Sequence, residues 1–153
     1  MDADRTAARP GGGRVVVVGV DDSDSSWRAA AYAVGLARRQ DALLVLVHIL
    51  PAHPTAMLAG MSWMLAADDL ATARQLRHRV AAGLRGIPGL PAPRWEFHIL
   101  RAADVVAGLA GTADRLRADT VVLGASRGLR HRWFGSPGVR LVRTGKWPVI
   151  VVP

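Results

Sequence analysis

Four consecutive valines inside Arg14–Val20 (RVVVVGV) constrain this chain more than any other feature. A strand with one wet face alternates apolar and polar residues. A run with no polar position has to be covered on both faces, as in a parallel sheet with helices above and below. Comparable runs follow at Leu43–Ile49, at Arg94–Leu100 with alternating Trp95, Phe97 and Ile99, at Thr120–Leu123 and at Val149–Val152. Helical spacing fills the gaps. The polar turn Asp21–Ser26 offers several N-caps, and Trp27, Ala30, Ala31, Val34 and Ala37 then recur on one stripe up to Arg38 and Arg39. An unusually apolar loop from Pro51 to about Trp63 leads into a helix through about Leu84, and residues 86–93 form a Pro/Gly connector. Asp104 opens a third helix with Val105, Val106, Leu109, Ala110 and Leu116 on its apolar side. The last helix reads as capped by Ser136, with Pro137 at its first position, Val139 and Val142 inward and a stop at Gly145.

Five strands alternating with four helices predict one open α/β sheet, five-stranded, parallel and Rossmann-like, with helices on both faces. Ligands of such sheets gather beyond the carboxyl ends of the strands, where strand order reverses. The turns after the first and fourth strands are therefore the candidate site.

Length and composition narrow the classes. The 153 residues suit one domain, with 1–13 expected as a flexible tail and 14–153 as the folded unit. There is no cysteine, so disulfides, thiolate metal sites and Cys nucleophiles are excluded. The tail has no apolar core of the secretory type. The uncharged stretch Ala42–Ala67 is interrupted by Pro51 and Pro54, which argues against a membrane span. A cytoplasmic location is expected. Twenty basic residues, of which only Lys146 is a lysine, stand against twelve acidic ones, and the net charge is +8. Residues 120–153 carry six of the basic residues and no acid. Such an excess suggests an anionic partner, but no helix-turn-helix or aromatic RNA-stacking signature accompanies it, so nucleic acid is not the expected one.

Gly124-Ala125-Ser126-Arg127-Gly128 fits G-x-S-x-G, the elbow that exposes a hydrolase serine. The triad would need an acid and a histidine after the serine, yet no Asp or Glu follows Asp119, and the only later histidine is His131 on the same loop. No catalytic residue is assigned. A phosphate site is the better chemistry for this segment: Gly124, Gly128 and Gly135 permit close backbone approach, Ser136 opens a helix, and Arg127, Arg130 and Arg132 supply charge. It is not a Walker loop. At the first turn, Asp22 and Asp24 read as helix-capping acids, whereas Asp21 ends the strand and offers a carboxylate to a ribose or base amine. No metal spacing is found, and His48 and His98 read as satisfied strand residues.

These residues resemble one family. The opening VVVVGVDDSDSSWRAAAYAVGLARRQDALLVLVHIL is similar to the first strand, helix and second strand of the universal stress proteins, and VVLGAS, FGS and PVIVVP are similar to their fourth strand, glycine loop and last strand. The resemblance implies strand order 3-2-1-4-5, a regulatory or stress-adaptation role, a homodimer joined through the last strand, and ATP or AMP, with Mg, at the switch point. It places Asp21 at the nucleoside, Ile49 beside the base, Leu123 before the first loop glycine, and Gly124, Gly135 and Ser136 around the phosphates. The loop departs from the family pattern. Gly124 and Gly135 are eleven residues apart where that pattern has thirteen, the second glycine is displaced to Gly128 with Arg127 in its place, and Pro137-Gly138 follows Ser136. The alternative is a ligand-free interaction module of the same fold, whose partner surface would be the Met- and Trp-rich segment 57–64.

Overall fold

A computed structural model describes residues 13–52, 62–85, 89–125 and 137–153. The valine run forms β1 (Val15–Gly19), followed by α1 (Asp24–Gln40), β2 (Leu43–Pro51), α2 (Ser62–Arg85), β3 (Trp95–Ala102), α3 (Val105–Leu116), β4 (Thr120–Gly124), α4 (Pro137–Arg143) and β5 (Val149–Val152). The sheet is parallel throughout, in the order β3-β2-β1-β4-β5. β1 is central, and its residues Val16, Val17 and Val18 are wholly inaccessible, as expected of a strand covered on both faces. Alternate side chains feed two cores. Val16, Val18, Leu44, Leu46 and Val122 pack under α1 and α2; Val15, Val17, Val45, Val47 and Val121 pack under α3 and α4.

Helix ends follow local chemistry. Ser23, in an extended conformation, caps α1 by accepting the Ser26 N–H, and Asp104 caps α3 by accepting the Ala107 N–H. α1 and α3 end on Asp41 and Arg117 in the left-handed region. After α4, Gly145 adopts φ +64° and its N–H bonds to the Val142 carbonyl, the stop expected there.

The buried stripes depart from the expected ones. On α4 it is Gly138 and Leu141 that are buried, while Val139 and Val142 are 45% and 56% exposed. One residue of rotation, about 100°, separates the two pairs, and the small Gly138 lets this two-turn helix sit close to its neighbours. On α1 the buried stripe is Ser26, Ala29, Ala30, Ala33 and Ala37, with Trp27 at its edge and Ala31 in solvent. On α3, Val105 is exposed, and Gly108, Thr112 and Ala113 join Val106 and Leu109 inside. Small residues win these positions because the helices lie close to the sheet. β2 and β3 also run two residues further than expected, to Pro51 and Ala102. Among the described residues no helix is long and apolar enough to cross a membrane.

Candidate functional site

The carboxyl ends of β1 and β4 part to leave a cleft of ≈ 570 Å³. Its walls come from four places. The β1 end and the first turn of α1 supply Gly19 to Asp21 and Ser23 to Ser26; Ile49 comes from β2; Leu123 and Gly124 come from β4. Val105 and Leu109 of α3 close the apolar side, and Arg28 and Pro137 stand at the rim.

The polar corner is built on Asp21. Its Oδ1 accepts the Ser23 backbone N–H at 3.1 Å and the Ser23 hydroxyl at 2.6 Å, while the same hydroxyl oxygen accepts the Ser26 N–H at 3.2 Å. Ser26 Oγ donates to the Ser23 carbonyl and lies 3.3 Å from the Asp21 N–H. One serine thus caps the helix and aims the carboxylate. Partial burial of the Asp21 carboxyl raises its pKa, but the Ser23 hydroxyl and N–H, Ser26 and the nearby His48 together outweigh that and hold it below its usual value, so it is an anion at neutral pH. Both hydrogen bonds from Ser23 fall on Oδ1. His48 Nδ1 lies 2.8 Å from the Val20 carbonyl, which can only accept, so Nδ1 carries the proton.

Asp22 does not serve as a cap. It takes φ +69°, accepts from Trp27 Nε1 at 2.9 Å and pairs with Arg79 of α2, whose guanidinium lies 5.0 Å from the centre of the Trp27 ring. This cluster ties α2 to the turn that carries Asp21.

Gly124 meets a steric demand. A Cβ there would stand 2.5 Å from the Ser25 carbonyl carbon and 2.8 Å from the Ser26 nitrogen, so the first turn of α1 rests directly on the end of β4. Gly108 likewise leaves room for Ile49, whose Cδ1 would lie 2.6 Å from a Cβ at that position.

Of the residues expected at the site, Asp21, Ile49, Leu123 and Gly124 line this cleft together. Gly128, Gly135 and Ser136, with Arg127, Arg130 and Arg132, lie outside the described residues, as does the Met-rich part of segment 57–64. The sequence reading did not assign Ser26, Arg28, Val105 or Leu109 to the site. Ser26 was detectable as a polar residue on the alanine stripe of α1. Among the described residues no group of His, Asp or Glu could hold a metal ion. The charge of the C-terminal segment is partly answered across the fold, because Arg140 pairs with Asp104 and Lys146 with Asp114, each at 2.8 Å.

Comparison with known proteins places this geometry. The Universal stress protein family model matches residues 13–153. The chain belongs to that family. UspA from Lactobacillus plantarum is similar in structure, with TM-score 0.75 and 23% identity over 93% of this chain and 99% of that one. A universal stress protein in complex with cAMP gives TM-score 0.65 and 26% identity over 93% and 98% of the two chains. One from Archaeoglobus fulgidus in complex with dAMP gives 0.56 and 23% over 92% and 98%. No curated protein matches the chain by sequence. The universal stress protein fold therefore frames the cleft at β1 and β4.

Proposed function

We propose that this universal stress protein is a regulatory module that binds an adenine nucleotide, ATP or AMP, in the cleft between β1 and β4. The observation that carries the reading is the meeting of a fixed carboxylate, Asp21, with an apolar wall of Ile49, Val105, Leu109 and Leu123 in a space of ≈ 570 Å³. That volume lies within the range of about 300–1,000 Å³ usual for small-molecule pockets. Asp21 Oδ2 would accept from a ribose hydroxyl or base amine, and the aliphatic side chains would cover a base. The cAMP and dAMP held by related structures support an adenine ligand.

Affinity should be modest. Pro137 has no N–H to offer a phosphate, and the Gly124 to Gly135 spacing is two residues shorter than the family pattern. Two missing bonds to a charged group, at about 1.5–3 kcal/mol each, weaken binding by about 100-fold or more, which takes a micromolar site to ~0.1 mM. Titration calorimetry and thermal melting with AMP, ATP and Mg-ATP test the reading. At a hundredfold excess over Kd a ligand stabilises by about 2.7 kcal/mol, a rise in Tm of about 5–10 °C. No heat and no shift with any of the three at 10 mM, together with no nucleotide in the purified protein, would favour the ligand-free interaction module. We also propose that two copies pair along β5, the edge strand, whose Val151 is 45% exposed.

A further inference from the structure

The fold gathers arginines that the sequence disperses. In a parallel sheet every helix runs back against the strands, so helix C-termini and strand N-termini share the end of the molecule opposite the cleft. The helices finish with Arg38 and Arg39, with Arg85, with Arg115 and the cap residue Arg117, and with Arg143. The segments entering the strands at this end carry Arg14, Arg94 and Lys146. All of these except Arg38 are exposed, and Arg38, whose Nε donates to the Pro91 carbonyl at 3.1 Å, keeps a buried Nη2 with no partner among the described residues.

Among the described residues the acids at this end are Asp41, Asp114 and Asp119, with Glu96, the second residue of β3, beside His98. Asp114 is taken up by Lys146, and Asp119 Oδ2 accepts the Val15 N–H at 2.8 Å. Among the described residues nine cations face four carboxylates, and the four helix C-termini, each equivalent to roughly half a negative charge, remove about two of the remaining five charges. About three positive charges are left over. Among the described residues of the cleft end the balance is different: Asp22, Asp69 and Asp104 take up Arg79, Arg101 and Arg140, and Asp21 and Asp24 outnumber Arg28. Complementing a helix dipole calls for one cation near each helix end. It does not call for the pair Arg38-Arg39, nor for Arg14 at a strand entry; Arg94 is engaged locally, its Nη2 donating to the Asp41 carbonyl at 3.3 Å.

We infer that this arginine-rich end is a docking surface for the phosphate backbone of a nucleic acid, separate from the cleft. Five strands span about 19 Å, along which a duplex presents about eleven phosphates, and the guanidinium fork binds phosphate oxygens in pairs. Leu90 and Val142 are the exposed large apolar side chains near this end among the described residues, too few to form the apolar stripe by which a surface enters a bilayer. The described elements here are helix C-termini and strand entries, none of which presents a side-chain row to a groove. Binding is therefore independent of sequence and steeply salt-dependent.

The test is fluorescence anisotropy of the full chain with a labelled 20-base-pair duplex and a 20-nucleotide single strand, between 20 and 200 mM NaCl. The expected result is a Kd of about 1–100 μM at low salt, with log affinity falling linearly against log salt. Replacing Arg39, Arg115 and Arg143 by Gln should remove two to three units of that slope, and each guanidinium taken away from a phosphate should weaken binding about tenfold near 0.1 M salt. The control R74Q/R77Q, also exposed but part-way along α2, should behave as the parent. Melting curves verify folding, and if the triple variant melts early, R39Q/R115Q is read in its place. The inference is overturned by absence of binding at 20 mM salt, by equal losses in the control, by a loss confined to R127Q/R130Q/R132Q, or by tighter binding to polyglutamate or phosphatidylglycerol vesicles than to either nucleic acid.

Discussion

Gly124 and Gly108 look alike in sequence, yet they should respond oppositely to the same change. A methyl group on Gly124 meets the backbone of Ser25 and Ser26, which cannot yield without moving α1. Gly124→Ala is expected to cost about 1–3 kcal/mol or more, a fall in Tm of at least about 3–10 °C by calorimetry. A methyl group on Gly108 meets side chains alone, Ile49 at Cδ1 and Cγ1 and Leu100 at Cδ1, which can shift without moving backbone, and alanine recovers up to about 1 kcal/mol of helix propensity. Gly108→Ala should therefore melt within about 2 °C of the parent while narrowing the cleft. Asp21→Asn should weaken nucleotide binding at least tenfold with little change in Tm, since Asn keeps an oxygen for the Ser23 N–H but loses the charge. Equal affinity of the two proteins in titration calorimetry would count against the proposed role of Asp21.

At the scale of elements, Asp104 joins α3 to α4. Its carboxylate caps α3 and pairs with Arg140; the Ala107 N–H, then Arg140, hold its pKa below the usual value. The unfolded chain binds the proton at a higher pH than the folded one. This contribution is complete above the unfolded value of about 4 and disappears as pH falls through the lower folded value. Asp104→Asn, which can still cap, should flatten the decline of urea midpoints below about pH 5 and change stability at pH 7 by about 1 kcal/mol or less. The elements themselves were readable from sequence because valine runs and helical spacing are strong, separate signals. Which side of each helix faces inward was less readable, since hydrophobicity points to Trp27, Val139 and Val142, while close packing selects Ser26, Gly138 and Ala33. Asp21 and Ile49 could be found from their place at strand ends. Leu109 could not, because its approach to the cleft depends on the crossovers that bring α3 beside β1.

For the whole molecule, the proposed pairing along β5 predicts that Val151→Arg shifts a dimer to monomer in sedimentation velocity, with the circular dichroism spectrum unchanged. An unchanged sedimentation coefficient would remove β5 from the interface. The strand order has a further consequence, for the time before the fold exists. β1 pairs on one side with β2, starting at Leu43, but its other neighbour, β4, begins at Thr120. During synthesis the valine strand is thus made first and completed late, and one edge of the stickiest segment in the chain stays open until most of the remainder has been translated. A chain cut after Ala118 should keep that edge and precipitate, and full-length refolding should yield less soluble protein as concentration rises, because a second copy of β1 competes for the place that β4 has yet to occupy.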